Sequence, residues 1–231
     1  MAKSAATVVL VHGAWADGSS WNKVIPLLLD KNMRVIAVQL PLTSVEDDSA
    51  ATSRIIADTA GPIVLVGHSW GGMAVTQAGN DPKVAALVYI SAFAPDVGES
   101  GSSLIGAHPT PPALSTIVTD NAGFVYQTLD GMLTNIAPDV SVDDARTLAV
   151  TQGRLAGTAF GQSVTVAAWK TKPCWFIITS GDRVVSADLQ TAEAKRMDAK
   201  TTVIQSSHMS LLSHPSEVVA VIEDAAAAVS I

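Results

Sequence analysis

Six short runs of valine and isoleucine, spaced by stretches of helical periodicity, decide what this chain can become. They are "TVVLVH" (7–12), "RVIAVQ" (34–39), "IVLV" (63–66), "VAALVYI" (84–90), "CWFIIT" (174–179) and "TTVIQ" (201–205). Runs of this length that are apolar at nearly every position read as strands covered on both faces, the pattern of a parallel sheet. Between them, residues 20–31 carry apolar side chains at Val24, Ile25, Leu28 and Leu29; residues 49–60 repeat the arrangement, and residues 69–78 are small and apolar. Gly79 and Pro82 stop that third stretch, and Pro215 opens a last helix at a favoured first-turn position. Strand–helix alternation with right-handed crossovers gives an α/β fold: a doubly wound, mostly parallel sheet of about six strands with helices on both faces.

The regularity breaks between Asp96 and Lys170. This stretch holds "HPTPP" (108–112), no convincing strand, and helix starts such as Ser141 with Asp144 three residues on. A structureless loop of that length is implausible in a compact domain. The division drawn is therefore a core of residues 1–96 and 170–231, with residues 97–169 inserted as a helical cap.

Composition narrows the partners. The 231 residues carry a net charge of −7 without a run of Lys or Arg, which argues against nucleic acid and anionic membrane surfaces. The single cysteine, Cys174, forms no internal disulfide and fits a reducing compartment. The apolar run near the start, 8–11, is too short for a signal peptide core or a membrane span, so a cytoplasmic location is expected.

In an open parallel sheet, chemistry gathers at the carboxyl ends of the strands. Ser69 follows "IVLV", Asp182 follows "CWFIIT" through "SGD", and His208 follows "TTVIQ" through "SS". "GHSWG" has the G-x-S-x-G spacing of a nucleophile elbow, in which a sharp strand-to-helix turn lifts the hydroxyl clear of the sheet. A bare serine hydroxyl is a poor nucleophile and needs a base. Five histidines compete for that role. His68 should point away at the turn, His12 should shape the loop after the first strand, His108 sits among prolines, and His214 stands before Pro215. His208 alone follows a late strand. Asp182 is the carboxylate expected to hold the histidine's tautomer, with Asp96 as rival. The oxyanion formed on a carbonyl carbon needs preorganised donors. The expected ones are the backbone N–H groups of Trp70 and of Ala14, in the loop "HGAWADG", where Gly13 permits close approach.

These segments carry a family resemblance. "VLVHGAW", "VLVGHSWGG", "YISAFAPDVGES", "SGDRVV" and "SSHMSLLSHP" resemble the α/β-hydrolase superfamily, in particular the branch of plant hydroxynitrile lyases, plant methyl esterases and bacterial esterases of the pyrethroid-hydrolysing type. The likeness spans nearly the whole chain and is weakest in the cap. It implies an eight-stranded fold, of which the first two strands look absent here, leaving six. The lyases of the branch carry a threonine in the loop after the first strand and a lysine after the catalytic histidine. The matching positions here are Gly13 and Met209, the pattern of the esterases.

The expected activity is a serine carboxylic ester hydrolase working through an acyl-enzyme. Its partners are a small, largely apolar ester and water, and the chain acts as a monomer or homodimer. Trp15, Met209, Phe124 and Phe160 are expected around the substrate with Gly13, and Met132 and Leu133 could join the roof. No metal or nucleotide motif appears, so neither a metal nor another cofactor is expected. A lyase or other cofactor-free C–C cleavage on the same triad, and a non-enzymatic ligand receptor, are the rival readings.

Overall fold

The structure, a computed structural model, describes residues 6–229. The outermost ends of the two core segments drawn above, 1–5 and 230–231, lie outside the described residues. Nine strands occur among them: β1 Thr7–Val11, β2 Arg34–Val38, β3 Ile63–His68, β4 Val84–Ile90, β5 Ile117–Thr119, β6 Phe124–Gln127, β7 Leu155–Ala156, β8 Cys174–Thr179 and β9 Lys200–Ile204. Six form one sheet in the order β2-β1-β3-β4-β8-β9, with every neighbouring pair parallel. The four central strands are almost wholly buried, which is why their sequences are unbroken apolar runs. The edge strand β9 exposes Lys200 to Val203 and is accordingly the most polar of the six. The order reverses between β1 and β3, so a crevice opens at their carboxyl ends.

Helix boundaries move for local reasons. The first helix is split into a 3₁₀ turn, Gly18–Trp21, and a helix, Val24–Asp30. Pro26 is tolerated only near a helix start, because its ring collides with the carbonyl four residues back. The second helix, Val45–Asp58, begins four residues before the expected start: Ser44 accepts a hydrogen bond from the Asp47 amide, and Glu46, Asp47 and Asp48 favour the positive end of the helix dipole. Helices Gly71–Ala78, Ala187–Arg196 and Pro215–Val229 complete the layers.

The excursion from β4 to β8 differs from an all-helical cap. It holds helices Gly101–Gly106 and Val142–Thr151, a π-turn at Met132–Ile136, and a small antiparallel sheet, β5-β6-β7. Strands of three, four and two residues are too short to display a two-residue period, so nothing in the sequence marked them.

One buried carboxyl links packing to pH. Glu193, on helix Ala187–Arg196, accepts a hydrogen bond from the Ala94 amide through Oε1 (2.8 Å), while Oε2 has no partner among the described residues. Burial pushes its pKa up to about 8. Above the ordinary glutamate value of roughly 4.3 the unfolded chain releases this proton, whereas the folded chain retains it until about 8. Native stability is therefore lost through Glu193 as pH rises across that window. The Glu193→Gln variant should gain stability relative to the parent between pH 5 and pH 8, by on the order of a few kcal/mol. Urea unfolding at both pH values checks this; a stability difference that is the same at pH 5 and pH 8 would refute it.

Candidate active site

β3 runs straight into Ser69, whose φ is +54°. A non-glycine residue in that region carries roughly 1–3 kcal/mol of strain and persists only where its surroundings over-determine it. Here the Ser69 amide donates to Ile90 O (3.1 Å), and Ser69 O accepts from Gly72 N (3.0 Å) and Phe93 N (3.2 Å). The flanking glycines are there for space. A Cβ on Gly71 would lie 2.5 Å from Val11 O, and one on Gly13 would lie 2.7 Å from the Ser69 Cβ. Helix Gly71–Ala78 thus packs directly on β1, and the loop after β1 lies against the serine.

The other two expected residues meet. His208 Nδ1 lies 2.8 Å from Asp182 Oδ2, with both side chains essentially excluded from solvent. The carboxylate accepts, so Nδ1 carries a proton; in the neutral tautomer this leaves Nε2 as the ring's acceptor. Asp182 is itself fixed from every side. Its Oδ1 accepts from the amides of Val184 (2.8 Å) and Val185 (3.1 Å), and its Oδ2 from Thr179 Oγ1 (3.0 Å) and Gln190 Nε2 (2.9 Å). The rival Asp96 is elsewhere, paired at the surface with Lys170 at 2.5 Å.

His68 does not point away. Its ring lies 4.7 Å from that of His208, centroid to centroid, and its Nε2 donates to His208 O (2.9 Å). Burial, and then the neighbouring His208, hold its pKa well below the ordinary value, so it is a neutral prop for the loop that carries His208. The Trp21 ring also stands edge-on to it at 6.3 Å. His12 fixes the next loop: its Nε2 accepts from Leu40 N (2.9 Å), which makes Nδ1 the donor to Gly13 O (2.8 Å). His108 and His214 lie apart from this group; His214 Nδ1 pairs with Ser213 Oγ.

Sequence reasoning missed Asp48. This buried residue accepts from Trp70 Nε1 (2.8 Å) and Leu42 N (2.7 Å), and burial pushes its pKa up to about 6. It anchors the residue that follows the serine. The only hint in the sequence was the acidic triplet 46–48, which reads equally well as a helix start.

An apolar cleft opens at Ser69, lined by Ala14, Trp15, Trp70, Phe93, Ile105, Leu114, Phe160 and Val184. A second apolar hollow adjoins it and shares Ile105, Leu114 and Phe160. Phe160 stands edge-on to Trp70 at 5.4 Å, and Trp15 Nε1 donates to Val125 O (3.1 Å), tying the loop after β1 to the small sheet. Of the residues expected around the substrate, Trp15 and Phe160 line the cleft, as does Trp70, expected as an oxyanion donor. Gly13 lies beneath it against Ser69. Phe124 does not line it: alternate strand residues face opposite ways, and its neighbour Val125 takes the wall of the second hollow. Met209 is absent from the lining; it is buried at the head of the short helix Ser210–Ser213. Met132, the first residue of the π-turn, is buried in the core, and Leu133 is half-buried against it.

Among the described residues no helix is long and apolar enough to cross a membrane, and no group of three or more His, Cys, Asp or Glu side chains is placed to hold a metal ion.

A family profile described as "Alpha/beta hydrolase family" matches residues 8–221. A carbendazim hydrolyzing esterase of Nocardioides sp. (strain SG-4G) is 33% identical over 124 residues, 48% of this chain and 51% of that protein. Methylesterase 2 of Arabidopsis thaliana is 31% identical over 139 residues, 50% of this chain and 53% of its own length, so the chain spans about half of each of these relatives. The crystal structure of polyneuridine aldehyde esterase superposes with a TM-score of 0.82 over 96% of this chain and 99% of that one, at 21% identity. It shares the fold.

Proposed function

Because the chain belongs to the alpha/beta hydrolase family, we propose that it is a serine hydrolase of small, largely apolar carboxylic esters, with Ser69 as nucleophile, His208 as base and Asp182 as its orienting acid. The observation that carries this reading is the His208–Asp182 pair at 2.8 Å, whose His208 ring lies 4.7 Å from that of His68, the residue before a strained serine on the wall of an apolar cleft.

In this reading the ester carbonyl sits over Ser69 with its apolar groups against Trp15, Trp70 and Phe160. His208 Nε2 takes the hydroxyl proton as Oγ attacks the carbonyl carbon. The oxyanion that forms is met by the backbone N–H groups of Ala14 and Trp70, both on the cleft wall. Collapse of the intermediate expels the alcohol, which leaves with the proton returned by His208. Water, activated by the same nitrogen, then releases the acid from the acyl-enzyme. Asp182 does not exchange the proton; it fixes the ring and stabilises the imidazolium. A side chain at position 13 would collide with the Ser69 Cβ, so this loop has no room for the hydroxyl that the lyases of the branch place there.

Treatment with a fluorophosphonate, followed by peptide mapping and assay on p-nitrophenyl acetate and mandelonitrile, tests the proposal. Labelling at Ser69 with turnover of the ester is the expected result. Cleavage of mandelonitrile without ester turnover would favour the lyase reading, and absence of both labelling and turnover would favour a binding module.

A further inference from the structure

The π-turn Met132–Ile136 and the residues just after it lie over both the acid loop and the base loop. π-turns are rare and concentrate at functional sites. From this stretch Asn135 Oδ1 accepts from Arg183 Nε (2.9 Å), on the residue next to Asp182. Ile136 O accepts from Ser207 Oγ (3.3 Å). Asp139 does most. Its Oδ2 accepts from Ser207 N (2.7 Å) and Ser206 Oγ (2.9 Å), and its Oδ1 accepts a short hydrogen bond from Ser207 Oγ. Three donors from the two residues immediately before His208 thus converge on one carboxylate that lies 67 and 68 positions away in the chain.

The base loop needs such support. It leaves β9, an edge strand paired on one side only, and borders an open hollow lined by Pro138, Asp139, Ser180, Gly181, Gln205, Ser206 and Ser207. Loops at sheet edges sit at the low end of local stability. Charge-assisted hydrogen bonds are about twice as strong as neutral ones and fix geometry. Burial alone would raise the Asp139 pKa, yet the bonds from Ser207 and Ser206 hold it below the ordinary range, so the carboxylate keeps its charge for this task.

We propose that Asp139 is a positioning residue: from the excursion it holds the Ser206–Ser207 backbone so that the His208 ring stands between Asp182 and Ser69, which couples docking of the excursion to assembly of the triad. The inference rests on the reading of Ser69, Asp182 and His208 given above. Its alternative is that Asp139 merely staples one layer to another.

Kinetics of Asp139→Ala and Asp139→Asn on p-nitrophenyl acetate, with the rate of fluorophosphonate labelling per folded molecule, separate the two. The proposal expects kcat and the labelling rate to fall together, by about 10- to 100-fold, because displacement of the base costs rate directly. KM should change little, since Asp139 does not line the cleft at Ser69. Ser207→Ala added to Asp139→Ala should cost little more, because the two act as one unit. Parental kcat and labelling rate in folded variants, or a raised KM with kcat unchanged, would overturn the proposal. If Asp139→Ala does not unfold cooperatively, Asp139→Asn, which keeps the shape and one acceptor, decides the matter. A parent protein left unlabelled at Ser69 would overturn the reading of the site and this inference with it, whereas a labelled parent with unaffected variants overturns this inference alone.

Discussion

Ser69→Ala should lower ester turnover by about 10⁴-fold or more while the protein still folds. The turn is held by its backbone, through Ile90 O, Gly72 N and Phe93 N, and by glycines that admit no side chain; none of this involves the hydroxyl. Alanine inherits the positive φ of +54° and its strain, so stability should stay near that of the parent. Glycine at the same position would be equally inactive but should be more stable by about 1 kcal/mol, since the left-handed region costs it nothing. His208→Ala should be as inactive as Ser69→Ala, and His214→Ala, whose Nδ1 pairs with Ser213 Oγ, should be nearly silent. Turnover of p-nitrophenyl acetate by Ser69→Ala within tenfold of the parent would remove Ser69 from the mechanism.

Asp182→Asn should be almost as damaging, and the hydrogen bonds say why. Oδ1 accepts from two backbone amides, those of Val184 and Val185, which do not move. An asparagine must place its carbonyl oxygen there and its NH₂ where Oδ2 now faces His208 Nδ1. The amide then donates to Nδ1, drives the imidazole proton onto Nε2 and leaves no lone pair to accept the Ser69 proton. A loss near 10⁴-fold in kcat is the expected scale for a base locked in the wrong tautomer. The same NH₂ also faces the Gln190 amide donor, so a stability loss of about 1–2 kcal/mol should accompany it. Asp96→Asn breaks only a half-exposed pair with Lys170 and should leave kcat within about twofold, as such pairs contribute little. Assay of the two variants on one ester checks both; a collapse in Asp96→Asn beside a near-normal Asp182→Asn would move the acid to the strand before the excursion.

What the sequence revealed follows from distance along the chain. The proposed Ser69 and Asp182 follow buried apolar strands and the proposed His208 follows the exposed edge strand β9; all three could be singled out because a parallel sheet brings the carboxyl ends of its strands to one side. The supports of the site are not legible in this way. Asp48 reaches Trp70 across 22 positions, His68 reaches His208 O across 140, and Asp139 reaches the base loop across 67. No local pattern encodes such pairings. Gln190 was hidden for another reason: an inward-facing glutamine on a helix has no motif. Phe124 and Val125 show the limit at its sharpest, since a four-residue strand does not declare which of two neighbours faces the hollow.

The walls of the cleft have an evolutionary corollary. Ile105, Leu114 and Phe160, where the two hollows meet, all belong to the excursion, and being apolar they hold no member of the Ser69–His208–Asp182 group by a hydrogen bond. The turn at Ser69 is closed to drift, because Gly13 and Gly71 accept no other residue without collision. The turn is therefore frozen by close backbone contact, whereas these three positions are bound only by side-chain packing, that of Phe160 on Trp70 included; if the proposed ester hydrolysis holds, libraries confined to them should change which esters are turned over.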